Sequence, residues 1–217
     1  MTSPDVEQSI EQLLKSNNIV ADKRLIAELI RTSLQLGSES TNTLNLKIAS
    51  AALTEMSEAF SMFAPYANKK KVTIFGSART TKDDPVYKQT EAVAKKLADS
   101  GWMVVTGAGP GIMEAGMSGA GREMSIGVSI RLPFETSANS IIAGDDKYVS
   151  MRYFFTRKLM LVKESQAFIC MPGGFGTLDE MFELLTLSQT GKGNPVPIVV
   201  LDLPNDPFWQ DLDQFVR

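Results

Sequence analysis

The sequence predicts an α/β fold: a doubly wound, Rossmann-like parallel sheet with a helical N-terminal extension. Three observations carry this. Short runs that are apolar throughout, "VTIFG", "WMVVTG", "SIGVSI", "AFICM" and "VPIVVL", alternate with amphipathic stretches after Lys71. A strand apolar on both sides has to be covered on both faces, which is the condition of a parallel sheet between two helical layers. The residues that end these runs are turn and glycine clusters, as expected where a strand hands over to a helix. With 217 residues, 43% hydrophobic and 22% charged, the chain suits one packed core with an appendage.

The elements follow in order. Residues 1–70 read as the helical extension, in which Gly37 is the only glycine. Asp22 can cap a helix whose Leu25, Ile26, Leu29, Ile30, Ser33 and Leu34 recur at one-turn spacing, and Leu44 to Phe63 reads as another helix. This segment is expected to pack on the main domain or on a second subunit. Lys69, Lys70 and Lys71 are expected to form a solvated charge run ahead of the first strand. Residues 71–217 read as the Rossmann-like domain, with helices expected to begin near Pro85, Gly111, Ser150, Gly176 and Pro207.

Composition excludes several chemistries. The formal charge of −3 supplies no basic field to hold a nucleic-acid backbone. There is no histidine, which removes Ser-His and Cys-His nucleophile systems and every His-ligated metal site. Cys170, the single cysteine, lies in an apolar run, so no internal disulfide exists and a free thiol there behaves as a small hydrophobe. The segment "MTSPDVEQSIEQLL" lacks the basic and apolar regions of a signal peptide. No apolar run approaches the roughly 18 residues of a membrane helix. A cytoplasmic protein without bound metal or organic cofactor is expected.

In a doubly wound sheet, ligands collect beyond the carboxyl ends of the strands. Four unusual loops fall there: "GSARTT" from Gly76 and Ser77, "TGAGPGIMEAG" with Gly107, Gly109 and Gly111, "RLPFE" ending at Glu135, and "PGGFGTLDE". Glycines bring backbone N–H groups close to a ligand, and where such a turn opens a helix its unpaired amides and dipole favour an anion. Gly173, Gly174, Gly176 and Thr177 therefore read as a phosphate cradle. "GAGPG" fits a cradle and a simple strand-to-helix turn equally, and it is not a dinucleotide fingerprint, because Ile112 stands where the last glycine belongs. Glu180 lies about one turn into the following helix and Glu183 three residues on. An acid there is ordinarily a dipole stabiliser, but beside a bound phosphate its natural use is to hold sugar hydroxyls or guide a water. Asp179 is expected to turn outward. Arg152 reads as a snorkelling edge residue, whereas Arg157 heads "RKLML" towards the cradle strand and can fork onto phosphate or hydroxyl oxygens.

"FFTRK", "PGGFGTLDE", "LLTLSQTGK" and "TGAGPGIMEAG" together resemble the Lonely Guy (LOG) family, often mislabelled as lysine decarboxylases, over roughly Lys71 to Val216. The resemblance implies a phosphoribohydrolase, which cuts the N-glycosidic bond of a nucleoside 5'-monophosphate such as an N6-modified adenosine monophosphate, the cytokinin precursor. It implies a homodimer or larger assembly, Arg157 and Glu180 as the catalytic pair, and Lys158 and Gly173 to Asp179, Phe175 included, as substrate-binding positions. Glu135 and Thr186 match less closely. It also implies further helix beyond the position of Arg217. Two details depart from the family. Ala108 replaces a common glycine and demands ordinary backbone angles, and "GREMSIG" lacks the usual Gly-Gly. No lysine has a pyridoxal-phosphate context. The rival class is a carrier of a phosphorylated cofactor such as the molybdenum cofactor, which would need the cradle but not the pair. A third is an assembly protein with a vestigial pocket. Met113, Met160 and Phe175 suit a base pocket and a core equally, so the preferred base is not legible.

Overall fold

In the computed structural model the described residues are 4–38, 42–133 and 138–217, and the chain divides into two compact units, Met1–Leu53 and Thr54–Arg217. In the first unit, α1 (Pro4–Ser16) and α2 (Lys23–Ser38) pack through Ile10, Leu14 and Ala27, with Val6, Ile26 and Ile30 around them. The face of α2 that packs is thus Ile26, Ala27 and Ile30, while Leu25, Leu29 and Leu34 stay exposed. Arg31 donates from Nε and Nη2 to the two oxygens of Glu7 at 2.7 Å each. Both ends of this fork keep more than a third of their side chains in water, so solvent screens most of its attraction. Helix α3 (Thr43–Phe63) starts in the first unit and ends in the second.

The second unit is the α/β layer. Its elements are β1 (Lys71–Phe75), α4 (Pro85–Asp99), β2 (Met103–Thr106), α5 (Ile112–Ala120), β3 (Ser125–Ile130), β4 (Tyr148–Met151), α6 (Phe154–Lys163), β5 (Ala167–Cys170), α7 (Phe175–Gln189), β6 (Ile198–Val200) and α8 (Phe208–Val216). The sheet runs β4-β3-β2-β1-β5-β6, and every neighbouring pair is parallel. All carboxyl ends therefore open on one rim. The strand order reverses between β1 and β5, where Val72 faces Ala167 and Phe75 faces Cys170. Helices leaving these two strands depart to opposite faces, and that leaves a crevice.

Side-chain alternation along the strands divides the core in two. Val72, Ile74, Val104 and Ile169 pack with Ala94 of α4 and Ile112 of α5. Phe75, Val105, Val128 and Phe168 pack on the opposite face with Ala59 and Phe63 of α3, Met160 of α6, Met181 of α7 and Trp209 of α8. Thr73 is the polar exception on that face, and its hydroxyl is satisfied by Leu161 O at 3.1 Å and Ser165 Oγ at 2.7 Å. Asp84 caps α4 by accepting from Val86 N at 2.8 Å, ahead of Pro85. Among the described residues no helix is long and apolar enough to cross a membrane.

Three expectations need correction. The stretch near Ser150 is strand β4, with helix beginning only at Phe154; as the sheet's edge, β4 buries alternate residues, so it lacks the all-apolar signature of the other strands. Lys71 is not solvated: it is 1% exposed, and its Nζ donates to Tyr66 O at 2.8 Å and Lys69 O at 3.0 Å, carbonyls freed where the chain leaves α3. Burial holds its pKa below the ordinary lysine value. Ala108 does not keep ordinary angles: it lies at φ +59°, held there by Ala108 N on Thr106 Oγ1 at 3.1 Å and Asn139 N on Ala108 O at 2.8 Å.

The contact of α4 with α5 is closest at Gly119, where an added Cβ would stand 2.0 Å from Glu91 O. Backbone cannot yield as a flexible side chain can. Gly119→Ala is expected to destabilise the protein by about 2–4 kcal/mol, read as a lower urea midpoint with an unchanged slope.

Candidate active site

Ser77 ties three loops of the rim together. Its N–H donates to Pro172 O at 3.3 Å after β5, and its carbonyl accepts from Ile112 N at 3.0 Å at the start of α5. The loops after β1, β2 and β5 are therefore one structure. Gly111 makes the approach feasible: it takes φ +67°, and a Cβ there would lie 2.3 Å from Ser77 O. Gly76 is likewise packed, against Ile112.

Arg157 sits in the first turns of α6 and points across the ends of β3 and β2. Its Nε donates to Val128 O at 3.0 Å and its Nη1 to Glu180 Oε1 at 2.8 Å, with the two side chains 9% and 13% exposed. The guanidinium lies against Gly107, where an added Cβ would stand 2.2 Å from Nη2. Gly109 gives similar room to Met113. Glu180, one turn into α7, is pushed above the ordinary carboxylate range by burial, against the opposing pull of Arg157. A carboxyl raised on folding contributes stability at low pH that is lost as pH rises through its folded value. Lys158, next along α6, spans a turn of α7: Nζ reaches Asp179 at 3.1 Å and Glu183 Oε2 at 2.6 Å. Asp179 is exposed, as expected, but paired. Burial alone would lower the Lys158 pKa; Glu183 and Asp179 outweigh it and the net shift is upward.

The cradle strand closes with Cys170, whose thiol is pushed up to about 12 by burial and then by the charge of Glu180. It is a packing residue. At Gly173 a Cβ would meet Thr177 Oγ1 at 2.2 Å, so the turn itself demands glycine. Gly174 and Gly176 are different. Neither has a positive φ, and a Cβ at either would meet nothing within 4 Å. The N-cap of α7 is Gly174, which has no side chain to cap the helix. Phe175 between them is 94% exposed.

The structure thus brings together Gly76, Ser77, Gly107, Gly109, Gly111, Arg157, Lys158, Gly173, Gly174, Phe175, Gly176, Thr177, Asp179, Glu180 and Glu183 on one stretch of rim around β2, β1 and β5. Thr186 stands apart, about two turns beyond Glu180 on α7, exposed and with its hydroxyl on Phe182 O at 2.7 Å. Glu135 lies outside the described residues. Beside the guanidinium is a cleft of about 200 Å³ lined by Gly107, Met113, Ser129, Tyr148 and others. Ser129 Oγ and Tyr148 OH are 2.8 Å apart on β3 and β4. Sequence reasoning missed both; the available signal was the second serine of "SIGVSI", near the carboxyl end of that strand.

These two kinds of glycine behave oppositely on substitution. Gly107→Ala displaces Arg157 and is expected to destabilise the native state by about 2–3 kcal/mol. Gly176→Ala, in a helical turn with open space around it, is expected to raise stability by up to ~1 kcal/mol. Thermal unfolding of the two variants checks both signs.

The family whose model matches residues 108–217, just over half of the chain, is described as possible lysine decarboxylase. Among curated relatives, cytokinin riboside 5'-monophosphate phosphoribohydrolase LOG of Oryza sativa subsp. japonica is 31% identical over 131 residues, 57% of this chain and 52% of that protein. LOG1 of Arabidopsis thaliana is 28% identical over 156 residues, 68% of each. The chain spans about half the length, or less, of the first curated relatives it matches. DNA processing protein A from Helicobacter pylori is similar at 20% identity with a TM-score of 0.50, over 69% of this chain and 74% of that one. The Moco carrier protein from Chlamydomonas reinhardtii is similar at 21% identity and a TM-score of 0.46, over 67% and 85%. The first of these shows the fold alone. A decarboxylase of the pyridoxal type needs a lysine amine freed of its proton. Lys158 is the reverse, doubly ion-paired with a raised pKa, and Lys71 lies at the opposite end of β1 on backbone carbonyls. The residues do not fit that cofactor. Signature, fold and match agree, and the chain belongs to the family described as possible lysine decarboxylase, in which its curated relatives are the Lonely Guy proteins.

Proposed function

We propose that this protein hydrolyses the N-glycosidic bond of a nucleoside 5'-monophosphate, releasing free base and ribose 5-phosphate, with AMP or N6-isopentenyl-AMP as leading substrates. One observation carries the reading: a buried Arg157–Glu180 pair stands one turn from two glycines that no packing or backbone need explains. The names of the curated relatives support it.

The chemistry follows from the parts. The open amides of the first turn of α7, with room kept at Gly174 and Gly176, receive the 5'-phosphate. That places the ribose towards Glu180. Cleavage at C1' develops positive charge on the sugar, which the carboxylate stabilises while orienting the attacking water. Arg157 keeps donors free after serving Val128 O and Glu180, and these hold the substrate and assist departure of the base. Lys158, locked between Asp179 and Glu183, fixes α6 against α7. No organic cofactor enters the scheme. We further propose a cytoplasmic homodimer or larger assembly, in keeping with the exposed Phe154, Phe155 and Leu159 on α6 and Phe182 and Leu185 on α7.

The test is base release from AMP, N6-isopentenyl-AMP, GMP, CMP and UMP, followed chromatographically. Glu180→Gln is expected to lower kcat about 100-fold or more with the fold retained, and unchanged turnover would sink the assignment. Tight retention of a nucleotide-like cofactor without product would instead make the protein a carrier. Because Glu180 acts as the carboxylate and burial raises its pKa, activity is expected to climb with pH along an acid limb above the ordinary glutamate range.

A further inference from the structure

Helix α6 carries Arg157 yet has no cap of its own. Tyr153 occupies its N-cap position and contributes no side-chain bond. The missing acceptor comes from α3. Glu55, 5% exposed, accepts from Arg152 N at 2.7 Å through Oε1, from Thr156 Oγ1 at 2.7 Å through Oε2, and more weakly from Tyr153 N at 3.5 Å. A buried carboxylate is costly unless its lone pairs are met, and here the donors are the backbone of the β4–α6 joint and the fully buried Thr156. The positive end of the α6 dipole favours the same charge.

The position of this cap gives it a consequence. Thr156 immediately precedes Arg157, and the joint it fixes sets both the axial position and the rotation of the first turn of α6, where Arg157 N bonds Tyr153 O at 3.2 Å. The guanidinium has little slack, since it meets Val128 O at 3.0 Å and Glu180 at 2.8 Å while pressed on Gly107. A slip of about 1 Å at the joint breaks hydrogen bonds of this length. Glu55 also lies outside residues 108–217 that match the family. We propose that Glu55 is a positioning residue: it anchors the start of α6 from α3 and thereby holds the Arg157 guanidinium on Val128 O and Glu180. Its catalytic consequence rests on the phosphoribohydrolase reading; its effect on the guanidinium does not.

The test compares Glu55→Ala and Glu55→Gln with the wild type in the full chain. An activity-free readout is the Arg157 Nε–H resonance, protected by Val128 O and assigned by its absence in Arg157→Lys. In Glu55→Ala this resonance is expected to lose its protection, and the Arg152 amide to exchange faster. In the base-release assay kcat is expected to fall about 10-fold or more with KM changed much less. The groups facing Glu180 are Arg157 and Lys158 on α6, Asp179 on α7 and Cys170 on β5. Withdrawing the guanidinium removes the largest opposing pull on its proton, so the acid limb moves to higher pH. Glu55→Gln keeps the shape and one acceptor for Arg152 N, and is expected to show the same changes in smaller degree. It decides the matter if Glu55→Ala does not fold. A folded variant with faster Arg152 exchange but an unchanged Arg157 Nε–H resonance would overturn the proposal, leaving Glu55 a helix cap and nothing more. Absence of base release by the wild type would remove the enzymatic reading while leaving the resonance to judge Glu55.

Discussion

A guanidinium taken out of water sets the terms for this rim. Removing a charge from solvent costs several kcal/mol, and the cost is met only where geometry is good and the remaining donors are served. Arg157 meets part of that cost by touching three separate parts of the α/β unit at once: the carbonyl of Val128 on β3, the carboxylate of Glu180 on α7, and the bare backbone at Gly107 after β2. Each contact constrains its partner. A side chain at position 107 would collide with the ion, a shift of α7 would unpair it, and a change in β3 would remove its acceptor. The glycine loop after β2 thus has a structural reason for its first glycine whatever its role towards a ligand.

Topology explains why these parts meet. The reversal of strand order between β1 and β5 opens the crevice, and Ser77 closes its floor by bonding to the loops on either side. Because the loops after β1, β2 and β5 share one hydrogen-bonded knot, the glycine turn that opens α7 and the arginine are positioned by the same sheet. Sites held on strand ends and helix starts keep tighter geometry than sites on free loops.

Much of this was legible in the residues. The all-apolar runs located β1, β2, β3 and β5, because a strand buried on both faces cannot alternate, and β6 by composition alone, since it is the other edge and leaves Val199 and Val200 exposed. Edge strand β4 was not legible, since its alternation reads equally well as the start of an amphipathic helix. Arg157, Lys158 and the acids of α7 stood out by spacing and motif. The pairing of Lys158 with both Asp179 and Glu183 did not, because it depends on how α6 lies against α7. Lys71 and Glu55 were invisible for a related reason: each is a buried charge held wholly or largely by backbone groups, and no residue-type pattern marks a carbonyl or an amide. Ala108 misled because its identity implies ordinary angles, whereas bonds to both its amide and its carbonyl hold it at φ +59°.

Local rules are broken mostly in one region, and that distribution is itself informative. Gly176 weakens a helical turn by about 1 kcal/mol relative to alanine with no collision to avoid. Phe175 leaves an aromatic ring almost wholly in water. Glu180 is a carboxyl taken out of water, and burial raises its pKa against the opposing pull of Arg157. Neither the glycine nor the exposed ring helps the chain fold. Sequences are otherwise locally consistent with their folds, and exceptions concentrate where something other than stability was selected. By contrast the exceptions elsewhere, such as the buried Lys71 and Thr73, are fully bonded within the protein. An N-terminal turn without a side-chain cap, an exposed ring and a buried acid within two turns of one helix therefore set this end of α7 apart from the rest of the fold.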